Sequence, residues 1–211
     1  LRLRKKDSNQ SVFRQNKMIH YNNNRPFVEG VALEDIANTQ ATPFYVYSQS
    51  KITNTFDQLK NSLNSEIFYA VKANSNQAII KLMASLGAGA DVVSVGELER
   101  AIKAGVEPQK IIFEGIGKTN KDIAFAIEKN IRLINIESID ELERVNEVGI
   151  NQNKTINIGI RLNPNIDSQT LDKISTGKKT DKFGIDNDKL DEIFHVLEVS
   201  KNVNLIGISC H

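Results

Sequence analysis

Tryptophan is missing from this 211-residue chain, and cysteine occurs once, as Cys210. One thiol excludes an internal disulfide framework and a cysteine-rich zinc site, and it fits a reducing, cytoplasmic compartment. An excess of charge of one sign is missing too: 27 Lys and Arg face 26 Asp and Glu, for a net charge of +1. No global field then favours nucleic acid or an anionic membrane as partner, and small-molecule chemistry is the better expectation. No apolar run is long enough to cross a bilayer, and the basic start Leu1-Arg2-Leu3-Arg4-Lys5-Lys6 runs into polar residues rather than a signal-peptide core. The histidines show no metal-ligand spacing with Asp or Glu.

What is present is a core-building share of hydrophobic residues, 40%, in a chain long enough for one large domain or two small ones. Residues 1–24 are polar and read as a tail running into a short edge segment. Gly30 reads as a turn residue and Leu33–Ala37 as the start of a short helix. Thr42-Pro43-Phe44-Tyr45-Val46-Tyr47 reads as a strand from its aromatic and β-branched content. Ser48 then caps a helix to about Leu63, with Ile52, Phe56, Leu59 and Leu63 at helical spacing.

From residue 66 onward, short apolar runs alternate with amphipathic segments, which predicts parallel strands joined by crossover helices. Strands are expected at Ile67–Lys72, Ala90–Ser94, Lys110–Phe113, Leu133–Ile136, Ile156–Leu162 and Leu205–His211. Helices are expected near Gln77–Leu86, Val95–Ala104, Lys121–Lys129, Ile139–Val148 and Lys189–Ser200, with Gly149 in the connection after the fourth. Each strand ends on polar chemistry: Lys72, Ser94, Glu114, Glu137, Arg161 with Asn163, and His211. In a barrel of βα units such ends converge on the face that carries the active site, whereas an open doubly wound sheet gathers fewer of them. The fold class read here is therefore α/β, a (β/α)8 TIM-type barrel. Closure takes eight strands and six are read, so the chain is expected to be the N-terminal part of a longer protein.

Lys72 closes the run Phe68-Tyr69-Ala70-Val71-Lys72-Ala73-Asn74. It reads either as a snorkelling lysine at a strand end or as a desolvated amine able to attack a carbonyl group. Two glycine-rich stretches are set aside. Gly115-Ile116-Gly117-Lys118-Thr119 has Ile112 where a phosphate loop needs its first glycine, and Gly87-Ala88-Gly89-Ala90-Asp91 has Val92 where a dinucleotide loop needs its third. The first reads as a strand-to-helix connection. Adjacent strand residues face opposite ways, so with His211 directed inward Cys210 is expected to pack against the helices rather than serve as a nucleophile. His195 reads as a helix-flank residue, and the polar segment Asp167–Gly184 as a lid over the catalytic face.

The stretches Tyr69–Asn74, Gly87–Leu98 and Lys182-Phe183-Gly184-Ile185-Asp186 resemble the diaminopimelate decarboxylases, pyridoxal-phosphate-dependent decarboxylases with an alanine-racemase-type barrel. The likeness extends through Arg161-Leu162-Asn163-Pro164, Ile174–Gly177 and Ser209-Cys210-His211, covering about residues 26–211. It implies that Lys72 binds the cofactor covalently, that His211 lies flat against its ring, and that Asp91 and Arg161 stand close to it. It further implies a homodimer with a shared site, residues 1–38 contributing to a second β domain, and residues 39–211 forming the cofactor-binding barrel. The activity implied is decarboxylation of meso-2,6-diaminopimelate to L-lysine. Ornithine, arginine or carboxynorspermidine as substrate, a non-catalytic cofactor-binding relative, and a Schiff-base aldolase remain as alternatives. Leu171 departs from the family, many members of which carry a histidine there, and this bears on the substrate contacts of that loop. The phosphate loop and the acidic partner of the pyridine nitrogen have no counterpart in this sequence, so the chain by itself is expected to be inactive.

Overall fold

A computed structural model describes residues 18–166 and 183–211. The greater part of the tail, the expected lid as far as Lys182, and with it Leu171, lie outside the described residues. Backbone contacts group the chain into two units, Leu1–Asn64 and Ser65–His211.

The first unit holds an antiparallel meander of β1 (His20–Asn22), β2 (Arg25–Val28) and β3 (Val31–Ala32). Both turns use left-handed residue pairs, Asn23 and Asn24 at φ 46° and 61°, then Glu29 and Gly30 at φ 51° and 85°, the backbone that a tight two-residue hairpin requires. Helix α1 (Leu33–Ala37) follows directly. Helix α2 (Gln49–Ser62) starts where expected, with the Ser48 hydroxyl accepting from the Lys51 amide at 3.0 Å. The Glu29 carboxylate reinforces this start by accepting from the Ser50 amide at 2.6 Å and from both serine hydroxyls. The strand expected at Thr42–Tyr47 is not one: the segment has no ladder partner among the described residues, and Tyr45 is 90% exposed. Side-chain propensity favours extended backbone there, but a strand also needs a neighbour to bond to.

The second unit is a parallel sheet in the order β10-β8-β7-β6-β5-β4. Its strands are β4 (Phe68–Ala70), β5 (Gly89–Val92), β6 (Ile111–Phe113), β7 (Leu133–Ile136), β8 (Ile156–Asn163) and β10 (Val203–Cys210). A two-residue strand, β9 (Ile185–Asp186), pairs with the end of β8. Phe68 faces Gly89, Ala90 faces Ile111 and Ile112 faces Leu133, so hydrogen-bonded neighbours recur 21 residues apart across β4 to β7. Helices α3 (Gln77–Ser85), α4 (Val95–Lys103), α5 (Asn120–Glu128), α6 (Ile139–Gln152) and α7 (Leu190–Val199) fill the crossovers. This is the βα series of a barrel, with six of its strands in sequence.

Ile111, Phe113, Ile134, Ile136, Ile158 and Ile160 from the strands pack with Leu98, Ile123, Leu142 and Ile193 from the helices, all at most 1% exposed. Each such side chain contributes roughly 1.5–3 kcal/mol by leaving water, enough to fix the strand order. Helix α6 runs past the expected end at Val148 and takes in Gly149. A methyl group at Gly149 would stand 2.4 Å from the Ile156 side chain and 3.0 Å from that of Asn202. The glycine is thus a packing residue, and Asn153, at φ 52°, ends the helix instead.

Candidate active site

Three helices that begin at the C-terminal rim of the sheet share a start signal. Ser94, Thr119 and Ser138 cap α4, α5 and α6 by accepting from the amides of Glu97, Asp122 and Glu141. The acid three residues after each cap reaches back. Asp122 bonds the amide of the cap itself, Thr119, at 2.9 Å. Glutamate is one methylene longer, and it reaches the residue before the cap: Glu97 takes the Val93 amide and Glu141 the Glu137 amide, each at 2.8 Å. Strand ends and helix starts are thereby locked together, and side chains on the intervening residues are held at the rim.

Lys72 stands on a 3-10 turn, Val71–Ala73, just past β4. The turn is pinned by Val71, fully buried, and by the Tyr69 hydroxyl, which donates to the Asn74 carbonyl at 3.0 Å. Lys72 itself is exposed toward a cavity that it lines together with Asp91 of β5, Arg161 of β8 and His211 after β10. All four residues singled out in the sequence therefore border one cavity. Glu114, Ser209 and Cys210 border it as well. Of the other polar strand ends, Ser94 is spent on the α4 cap, and Asn163 is buried, its side chain accepting from the Asn165 amide at 3.0 Å.

Cys210 does not pack against the helices as expected. It is exposed and borders the same cavity as His211. Strand β10 ends at Cys210, so the alternation that would turn the two side chains opposite ways stops before His211. His195 is exposed on α7, 3.9 Å from the Glu198 carboxylate.

Asp91 has its carboxyl pushed up to about 6, first by burial and then by the negative charge of Glu114, against the opposing pull of Lys72. Asp91 Oδ1, Glu114 Oε2 and Ser209 Oγ are buried and have no hydrogen-bond partner among the described residues. Three such atoms on one cavity wall mark it as a place for a polar ligand. Because the folded protein holds the Asp91 proton more tightly than the unfolded chain, this group's contribution to stability is complete below about pH 4 and is lost as pH rises through about 6. Asp91→Asn removes that loss. Thermal melts of the full-length protein are expected to show the variant gaining on the parent between pH 4 and pH 7, by on the order of 1 kcal/mol after solvent screening. A gap between the two that is independent of pH would contradict this origin.

Sequence reading placed Glu137 at the rim as a strand end but did not show that it supports Arg161. Glu137, buried just past β7, accepts from Arg161 Nη1 at 3.2 Å and from the Gly115 amide at 2.9 Å through Oε1, and from the Gly184 amide at 3.2 Å through Oε2. The Phe183 ring faces the Arg161 guanidinium at 5.0 Å. Lys118, in the loop read only as a connection, is buried and donates to Gly115 O at 2.6 Å, Asn135 O at 2.7 Å and Glu141 Oε1 at 2.9 Å. The Asn135 side chain in turn donates to Glu114, and it has room only because Gly159 lacks a Cβ, which would stand 2.0 Å from Asn135 Oδ1.

A diaminopimelate decarboxylase from Aquifex aeolicus is 40% identical over 197 residues, 93% of this chain and 47% of its own length. One from Neisseria meningitidis serogroup B is 43% identical over 88% of this chain and 45% of its own length. The chain thus spans about half the length of the curated relatives it matches. Among solved structures, Helicobacter pylori diaminopimelate decarboxylase complexed with L-lysine matches at TM-score 0.82 and 40% identity, over 85% of this chain and 46% of that one. The arginine decarboxylase of Paramecium bursaria Chlorella virus matches at TM-score 0.73 and 25% identity, over the same two shares. Residues 49–211, from α2 to the histidine at the cavity, match the family model described as pyridoxal-dependent decarboxylase, pyridoxal binding domain. With sheet order, cavity and sequence in agreement over that span, the chain belongs to the pyridoxal-dependent decarboxylases.

Proposed function

We propose that the full-length protein decarboxylates meso-2,6-diaminopimelate to L-lysine with pyridoxal phosphate as cofactor. The observation that carries this reading is the meeting of Lys72, Asp91, Arg161 and His211 on one cavity; the diaminopimelate decarboxylases among the relatives support the choice of substrate. The residues fit the cofactor: an amine suits its aldehyde, an imidazole its ring, and the unpartnered Asp91 Oδ1 and Ser209 Oγ suit a polar group. Lys72 would hold it, His211 would lie against it, and Asp91 and Arg161 would flank it.

When bound, the cofactor supplies a sink for the electron pair left as carbon dioxide departs. The protein's part is positional and protonic. The Lys72 turn, pinned at Val71 and at Tyr69–Asn74, sets where the lysine leaves the rim. Nζ gives and takes the proton, with the Asp91 carboxyl on the same cavity wall. Arg161, held from behind by Glu137, brings a fixed positive charge to the same wall. The protein acts as a homodimer in the cytoplasm, with residues 1–38 belonging to a second β domain and 39–211 to the cofactor-binding barrel.

Carbon dioxide release measured in parallel from diaminopimelate, ornithine, arginine and carboxynorspermidine tests the reading. Diaminopimelate is expected to lead in kcat/KM by at least about a hundredfold, since a site built to pair a substrate's polar groups rejects analogues that lack them. Equal or faster release from another of the four would transfer the activity to that substrate.

A further inference from the structure

We propose that Glu137 is a positioning residue, whose carboxylate fixes the Arg161 guanidinium at the cavity wall while Lys118 and Glu141 hold Glu137 in place. The inference rests on the functional reading above only for its effect on the cofactor; the geometry stands by itself. Arg161 lies on β8 and Glu137 just past β7, the adjacent strand. Between them the Glu137 carboxylate takes three donors: Arg161 Nη1, the Gly115 amide and the Gly184 amide. Two of these come from loops that turn at glycines with left-handed backbone, φ 98° at Gly115 and φ 77° at Gly184. One carboxylate therefore ties two rim loops and a cavity arginine to the end of one strand.

Its own place is set from the other side. Glu141 accepts the Glu137 amide, and the same Glu141 carboxylate is paired to Lys118, whose remaining bonds go to Gly115 O and Asn135 O. Gly115 is thus gripped twice, its carbonyl by Lys118 and its amide by Glu137. Gly184 lies close against β8, where a Cβ would meet Asn163 N at 3.0 Å and Arg161 O at 3.1 Å. The side chain of Arg161 is left with the Phe183 ring on its face and Glu137 at its end. Among the described residues, removing the carboxylate leaves only the ring contact, which orients a guanidinium plane and does not fix its position along the cavity.

Glu137→Gln keeps the shape and replaces one acceptor oxygen by a donor, and Glu137→Asp keeps the charge but draws it back by one methylene. Both variants, Arg161→Gln and the double variant Glu137→Gln with Arg161→Gln are to be made in the full-length protein. The first measurement is reaction of Arg161 with phenylglyoxal in the folded protein, followed by peptide mass spectrometry. Modification in either Glu137 variant is expected to be about tenfold faster than in the parent, because one variant takes the charge from the bond to Arg161 and the other draws its acceptor out of reach. The second is the affinity for pyridoxal phosphate, read by absorbance titration. Glu137→Gln is expected to weaken it about tenfold, and the double variant no further than Arg161→Gln alone, because the carboxylate acts through the arginine. An unchanged modification rate in both folded variants, or additive losses in the double variant, would overturn the proposal. A parent protein that binds no pyridoxal phosphate would refute the functional reading instead, and the modification rates would still decide whether Glu137 holds Arg161.

Discussion

Lys72→Ala is expected to lower kcat of the full-length protein by at least about a thousandfold, the scale set by losing a covalent anchor and a proton carrier together. The long-wavelength absorbance of lysine-bound cofactor should vanish with it. Folding should be spared. The side chain is exposed, and the turn that carries it is held by Val71 and by the Tyr69–Asn74 bond rather than by the amine, so the unfolding free energy should move by no more than about 0.5 kcal/mol. Lys72→Arg sharpens the test. It keeps the positive charge and a similar reach, but guanidinium does not give up its proton and cannot supply the neutral amine that attacks an aldehyde. An arginine variant with substantial activity would mean that only charge is required at this position. Steady-state carbon dioxide release, absorbance spectra and thermal melts on the same preparations decide among these outcomes.

Lys118→Met has the largest expected effect on stability, a loss of about 3–5 kcal/mol, the range found when one member of a buried ion pair is removed. The Lys118 and Glu141 side chains are only 2% and 3% exposed. Methionine fills the stem of the lysine but leaves Glu141 without its cation and the Gly115 and Asn135 carbonyls without their donor. Much of the loss comes from the uncompensated carboxylate, so adding Glu141→Gln should recover a good part of it. The glutamine oxygen can still accept the Glu137 amide that Glu141 serves now. Urea denaturation of parent, single and double variants measures all three. A double variant less stable than Lys118→Met would show that the lysine's value lies in the two carbonyls it bonds and not in the ion pair.

The strand series was readable because parallel strands buried on both faces are written as apolar runs. Leu133–Ile136 was placed to the residue, and the other five strands shifted only at their ends. Those ends moved for a local reason: Lys72 and Lys110 belong to 3-10 turns, and Ser94 to a helix cap, where backbone pairing has already stopped. The four cavity residues were found from the strand-end rule and from family likeness. Of their supports, Glu137 was legible as a strand end, but its bonds and the role of Lys118 were not. Lys118 lies one residue before a helix cap and directly after two turn glycines, Gly115 and Gly117, a place where period and composition both say solvent. Only the three-dimensional approach of β7 and α6 gives its ammonium carbonyls and a carboxylate to bond. Ser138 with Glu141 has the spacing of a capping box, but that spacing does not reveal that glutamate overshoots the cap to reach Glu137. The failed strand at Thr42–Tyr47 is the converse case, a segment with strand composition and no ladder partner among the described residues.

The even spacing between paired strands also bears on how the chain reaches this structure. The three pairings from β4 to β7 each join residues 21 apart, so each of them closes a loop of the same modest length, and only the pairing of β10 with β8, Val203 with Ile156, reaches across a longer connection. Loop-closure entropy is then spread evenly over the units, and contacts of short sequence separation favour rapid folding. During synthesis, at roughly 5–20 residues per second, one further unit leaves the ribosome every few seconds with its docking edge already in place. The sheet can therefore be laid down in the order in which it is translated.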